Sequence, residues 1–171
     1  VSLPERTHGV NGQPLATVRE AIAHFPVIGP GEESANVPNH RSSELTTINK
    51  KRIKATPHNG GDRLAWPKEL WLDCHQKDYE GHSDVYGRLY WDQPAPTLTG
   101  KCNSLSNGRY GHPEQDRAIS LREAAALQSF QDEYEFFGVL RTIAQHIGNA
   151  VPPRLGKVLG EHLLGRAAEV A

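Results

Sequence analysis

The chain has 171 residues, 37% of them hydrophobic and 7% aromatic, with a formal net charge of −1 and a mean hydropathy of −0.59. No apolar run approaches the ~20 residues needed to cross a bilayer, and no charged start leads into a signal-peptide core, so a cytoplasmic protein is expected. Two cysteines in so loop-rich a chain argue against a secreted disulfide framework, and a net charge near zero excludes binding of nucleic acid by a uniformly basic surface.

The start at Val1 without a methionine leads us to expect a processed chain or the tail of a longer polypeptide. Thr17-Val18-Arg19-Glu20 has the capping-box pattern, and Val18, Ile22 and Phe25 follow at helical spacing, which predicts a short helix over 17–25. Residues 26–38 are a linker of glycine, proline and acid. A second helix is predicted over 43–55 on the thin stripe of Leu45, Ile48 and Ile53, and His58-Asn59-Gly60-Gly61-Asp62 ends it as a loop. From Arg41 to Arg63 six basic residues stand against two acids, whereas acids collect over 73–84 and 132–135.

Between Tyr86 and Thr99 the pattern predicts two short strands, broken by Pro94 and Pro96 and therefore bent or at an edge. Residues 101–113, rich in Asn, Ser and Gly, read as a loop. Ser120-Leu121-Arg122-Glu123 is a second capping box, followed by strong helix formers. A further helix over 140–147 is expected to stop at Gly148 in a left-handed cap. Pro152-Pro153 then open a last helix at positions that tolerate proline. Leu155, Val158, Leu159 and Leu163 form one apolar stripe along it that no neighbouring segment covers. The nine histidines are scattered and lack ligand spacing with Cys74 or Cys102, so no metal site is expected.

Three ordered segments carry a resemblance. GRLYWDQPAPTLT (Gly87 to Thr99), GHPEQDRAISLREAAALQSF (Gly111 to Phe130) and IGNAVPPRLG (Ile147 to Gly156) resemble the end of the recognition region and the last two conserved blocks of DNA (cytosine-5) methyltransferases. Upstream, INKKRIKATPHNGG (Ile48 to Gly61) is similar to a segment that bacterial members carry within the recognition region. One departure is Gln131-Asp132, where the family usually has proline before the aspartate. The family's Gly-rich donor turn has no counterpart here. Neither has its catalytic cysteine, which follows a proline: Cys74 follows Asp73 and Cys102 follows Lys101.

The resemblance therefore implies the C-terminal, target-recognition part of such an enzyme, inactive without the part bearing the nucleophile and without catalytic residues of its own. It implies that Asn149, Ala150 and Val151 touch S-adenosylmethionine in a pocket this chain supplies only in part. Thr97 would hold the phosphate beside a nucleotide swung out of duplex DNA, with Thr99 two residues on. Arg88, Lys101, Asn103, Ser104 and Arg109 fall among the base-reading loops. Lys50, Lys51, Arg52 and Lys54 would add phosphate attraction without specificity. Arg117, Arg122 and Glu123 occupy strong motif positions and are read as structural.

The expected fold class is α+β: a small, irregular, β-rich recognition domain followed by C-terminal helices that pack on a separate S-adenosylmethionine-dependent α/β catalytic domain. The expected domains are 1–39, a linker and short helix; 40–117, the DNA-reading domain; and 118–171, the returning helices. The partners implied are double-stranded DNA and a catalytic domain or subunit with the missing motifs, and no membrane. Self-association through the last helix would also cover its stripe. A bacterial, nucleoid-associated restriction-modification enzyme fits best; a non-enzymatic DNA-binding or regulatory module derived from one is the alternative.

Overall fold

The computed structural model describes residues 3–9, 12–75 and 84–170. Val1, and Asp78 and Glu80 of the acidic stretch, lie outside the described residues. Five helices are described: α1 (Val18–Ile22), α2 (Thr47–Ala55), α3 (Leu121–Leu127), α4 (Leu140–Asn149) and α5 (Pro153–Val170). Single 3-10 turns at Arg63–Ala65, Lys68–Leu70, Asp73–His75 and Leu105–Asn107 punctuate the segments between them.

The two capping boxes form as their side chains dictate. Thr17 accepts from the Glu20 backbone N–H while the Glu20 carboxylate accepts from Thr17 N at 2.7 Å. Ser120 and Glu123 make the same reciprocal pair at the start of α3. Helix α1 is too short to stand alone. Its first N–H groups, of Val18 and Arg19, donate to the carbonyls of Gln93 and Trp91 at 2.9 and 2.8 Å, which docks its N-terminus on the 91–93 turn. Helix α2 starts later than its apolar stripe suggests, because Thr46 is the residue that caps it. The Ser43 hydroxyl donates instead to Asn103 O at 2.9 Å.

Helix α3 packs against both α1 and α4, and Ala124, Ala125 and Ala144 keep that crossing thin. The main core gathers Val18, Ile22 and Phe25 with Leu89, Trp91, Leu98, Tyr110 and Ile119, and with Ile143 and Ile147 of α4. A second, smaller core under α2 joins Leu45 and Ile53 to Trp66, Leu70, Tyr86, Leu105 and Ala118. Apolar burial on this scale stabilises each core by about 1.5–3 kcal/mol per large side chain.

The expected β-rich domain is not there: among the described residues no strand forms. What exists are isolated bridges, including Arg88 with Gly111 and Gly111 with Ala118. The reason lies in where the backbone groups go. Pro94 and Pro96 have no N–H to give, Thr97 O accepts from the Tyr110 hydroxyl, and Thr99 O accepts from Cys102 N in a turn. The alternating pattern is present, but no second run lies beside it to complete a ladder. The left-handed cap at Gly148 is also absent, because α4 runs through Gly148 to Asn149.

Pro153 opens α5, and Arg154 N donates to the Ser129 hydroxyl at 3.2 Å, anchoring the first turn to the end of α3. Beyond that turn the stripe faces outward: Leu155, Val158 and Leu163 are 48%, 43% and 58% exposed, and Leu159 is half-buried. No helix among the described residues is long and apolar enough to cross a membrane.

Candidate functional site

Residues 97–99 belong to no helix, strand or turn, with Leu98 buried in the main core and Thr97 and Thr99 exposed on either side of it. The Tyr110 hydroxyl lies 3.1 Å from Thr97 O and 3.4 Å from Thr99 Oγ1. Lys101 N donates to Thr99 Oγ1 at 3.4 Å. Among the described residues the Thr97 hydroxyl has no hydrogen-bond partner. Of the two threonines, Thr97 is thus the one with a hydroxyl to offer.

The last turn of α4 meets this segment directly. A Cβ on Gly148 would lie 2.0 Å from Thr99 O, so only glycine lets helix and segment approach this closely. On the other side, a Cβ on Gly100 would come 3.5 Å from Gln145 Cα and 3.6 Å from Asn149 Oδ1. Gln128 Nε2 donates to Ile147 O at 3.1 Å, tying the end of α3 to the end of α4. Asn149 and Val151 are exposed and Ala150 is half-buried. An open cleft of about 1420 Å³ begins here, with Thr97, Gly148, Ala150 and Pro152 among its lining residues together with Thr17, Glu20 and Phe130. Of the three turn residues Asn149, Ala150 and Val151, Ala150 lines the cleft and the other two expose their side chains beside it.

The remaining candidates divide by burial. Lys51, Lys54 and Lys101 are exposed, and Lys50 is exposed but paired with Glu44 at 2.7 Å. Asn103 and Ser104 are half-buried; Asn103 Nδ2 donates to Ser43 Oγ at 2.9 Å, and Ser104 shares a hydrogen bond with Ser106. Arg109 donates to Gly60 O and Arg88 O at 2.8 and 3.1 Å, stacks on Tyr90, and has Asp62 and Asp84 close by. Arg52 and Arg88 are not at a surface. Arg52 is buried over Trp66 and Tyr86, with Nε donating to Leu70 O. Arg88 is fully buried, its guanidinium donating to the carbonyls of Ile53, Thr56, His112 and Gln115 and to Asp116. Both guanidinium groups are turned inward, so the exposed cationic set is narrower than the sequence suggests. Tyr110 escapes sequence reading altogether, since a buried phenol looks like any core aromatic in a sequence.

The pattern described as C-5 cytosine-specific DNA methylase matches residues 22–165. The chain belongs to that family. It is 45% identical over 152 residues to the Type II methylase M.HgiDII of Herpetosiphon aurantiacus, covering 86% of this chain and 43% of that protein. It is 34% identical over 164 residues to the Type II methyltransferase M1.HphI of Haemophilus parahaemolyticus, covering 96% of this chain and 40% of that one. A plant relative, DNA (cytosine-5)-methyltransferase 3 of Arabidopsis thaliana, is 35% identical over 174 residues, 86% of this chain and 12% of its own length. The chain thus spans about two fifths of the two bacterial relatives.

In this cytosine-5 methylase chain the second motif is a buried polar lattice. Arg117 donates to both Glu123 oxygens at 2.7 Å, and Glu123 also accepts from Ser120 N. Desolvation pushes the Glu123 carboxyl upward, yet the Arg117 and Ser120 bonds outweigh it and leave its pKa below the ordinary value. Burial lowers the His112 pKa to about 4. Glu114 N and Gln115 N both donate to His112 Nδ1, which places the ring proton on Nε2, 3.7 Å from Glu123. Arg122 holds the chain around it through Pro38 O, Gln131 O and Tyr134 O.

The two cysteines differ in burial. Cys102 is fully buried, burial pushes its pKa up to about 11, and its thiol donates to Ala144 O. A protonated, enclosed thiol is inert. Cys74 is exposed on a 3-10 turn. Among the described residues no group of His, Cys, Asp and Glu is gathered as for a metal.

Proposed function

We propose that this chain is the target-recognition and closing part of a DNA cytosine-5 methyltransferase, whose nucleophilic cysteine and principal donor motifs lie in another part of the enzyme. The observation that carries the reading is the close pass of Gly148 over Thr99. That contact joins the end of α4 to residues 97–99, which supports the reading because a donor-binding turn and a phosphate-binding segment must converge on one cytosine for a methyl group to pass. Residues 40–117 read the duplex, as an irregular loop assembly, and 118–171 return to the catalytic part. Thr97, Lys101, Lys51 and Lys54 present their polar ends outward for phosphate, with Lys50 joining once Glu44 yields. Asn149, Ala150 and Val151 form one wall of the donor pocket, and the donor supplies the methyl group.

The cleft beside α1 and the outward stripe of α5 are where the catalytic part docks. Several exposed leucine and valine side chains, each worth about 1.5–3 kcal/mol on full burial, supply the association before its entropic cost is subtracted. The Type II relatives support a role in restriction-modification, acting on bacterial DNA in the cytoplasm.

The test is complementation. The chain is mixed with, or fused to, a catalytic half from a relative, and transfer of labelled methyl groups from S-adenosylmethionine to cytosine in duplex DNA is followed. Transfer only when both parts are present is the expected result. Retardation of DNA without transfer would leave a binding module, and neither would remove the reading.

A further inference from the structure

We infer that Tyr110 is the positioning residue of the DNA-contacting threonine, setting the backbone at Thr97 through its hydroxyl. This rests on the reading above and deepens it. Three observations carry it. Tyr110 is 2% exposed and its ring belongs to the main core, so the phenol is held from behind. Its own backbone is fixed, because Ile119 N donates to Tyr110 O at 2.8 Å, one residue before the Ser120 cap of α3. Its oxygen then reaches both ends of the 97–99 segment, 3.1 Å from Thr97 O and 3.4 Å from Thr99 Oγ1. A phenol has one proton to give. Thr97 O, the nearer acceptor, takes it, and Thr99 Oγ1 is the more distant acceptor of the same hydroxyl.

The two threonines therefore have different work. Thr99 is tied inward, by Tyr110 at its hydroxyl and by Cys102 N and the close pass of Gly148 at its carbonyl. Thr97 is tied only through its carbonyl, and its hydroxyl is left for the phosphate. Were Tyr110 a core filler alone, a phenylalanine would serve as well. Gly108 belongs to the same device. A Cβ there would sit 2.7 Å from Cε2 and Cζ of the phenol and 3.1 Å from its oxygen, so glycine leaves the ring room to aim.

The experiment uses the chain joined to a catalytic half, and reads DNA affinity, the KM for DNA, the KM for S-adenosylmethionine and the melting temperature. Tyr110→Phe keeps the ring and removes the hydroxyl. It is expected to weaken DNA binding roughly three- to tenfold, the loss of one neutral hydrogen bond, with donor KM unchanged. Placed on Thr97→Val, the same change is expected to add almost nothing, since the group it positions is gone. Gly108→Ala, which displaces the phenol without removing it, is expected to act in the same direction. Unchanged DNA affinity in Tyr110→Phe overturns the inference, as does an effect that adds in full to Thr97→Val. A parallel rise of both KM values with a lowered melting temperature overturns it too, since that marks general loosening. Failure of the unsubstituted assembly to bind or methylate DNA removes the underlying reading and this inference together.

Discussion

Gly148 and Thr99 touch backbone to backbone, with no space for a methyl group between the helix and the carbonyl it passes. Helix α4 carries Ile143, Ala144 and Ile147 into the main core, so it cannot slide away to make room. Gly148→Ala is therefore expected to destabilise by about 1–3 kcal/mol, as overpacking does, despite the gain of about 1 kcal/mol that alanine brings to a helix interior. Gly156 in α5 is the matched control, since a Cβ there meets nothing within 4 Å; Gly156→Ala should raise the melting temperature slightly. Equal effects of the two substitutions would show that the close approach does not constrain the helix.

Arg88 links residues far apart in sequence, through Ile53 O and Thr56 O on α2 and its end, and through His112 O, Gln115 O and Asp116 on the second motif. Arg88→Met would leave those acceptors unpaired and Asp116 without its cation. The expected loss is about 2–3 kcal/mol, from buried carbonyls left unpaired while the half-exposed Asp116 is rehydrated, a drop of roughly 4–12 °C in melting temperature. DNA affinity per folded molecule should stay near the original. A stable variant with impaired DNA binding would return Arg88 to the DNA-facing surface.

The legible features are local. Thr17 with Glu20, and Ser120 with Glu123, each place a hydroxyl and a carboxylate at the spacing that closes a helix start, and the structure has both. The proline pair at 152–153 opens α5 for the same kind of reason. What sequence misjudges is non-local. Thr97-Leu98-Thr99 alternates as a strand does, yet whether it becomes one depends on another run arriving beside it, and here a phenol and a turn arrive instead. Arg88 and Arg52 read as surface cations because nothing nearby in the chain shows that carbonyls from other segments will converge on them. Gly148 stands out in the sequence for a reason the structure replaces: close approach, rather than a left-handed turn, demands it.

Stability should fall on the acid side of neutrality before any carboxylate titrates. His112 binds its proton near pH 6.5 when unfolded but only near 4 when folded. The unfolded state therefore holds the extra proton between those values, and stability, fully present above about 6.5, declines as pH drops through that window. Each unit is worth about 1.4 kcal/mol, so roughly 3 kcal/mol is at stake by pH 4. His40, also pushed down by burial, adds in the same direction. Glu123, whose pKa is lowered, adds its own loss only once pH falls through the ordinary carboxylate value, where the unfolded state takes up the proton first. Urea midpoints at pH 7.5 and 5.0 measure the slope, and His112→Asn should make it shallower. A midpoint that does not move between those pH values would contradict a neutral, buried His112.

Donor and DNA recognition should be separable by substitution even though their elements touch. Asn149 exposes its amide at the turn, and its backbone continues α4 without needing that amide, so Asn149→Leu should preserve the fold. In an assembly with a catalytic half it is expected to weaken S-adenosylmethionine binding about tenfold, within the range for a lost hydrogen bond plus an unpaired polar partner, with DNA affinity little changed. Lys51→Ala with Lys54→Ala should do the reverse. Both side chains are exposed on α2, so their removal should reduce the salt dependence of DNA binding by up to about 0.9 for each phosphate deprived of its lysine and leave the donor constant alone. Isotherms for the two ligands at several salt concentrations distinguish the cases. Unchanged donor affinity in Asn149→Leu would mean that the turn abuts the threonine segment for packing alone, and the donor pocket would then have to be completed elsewhere.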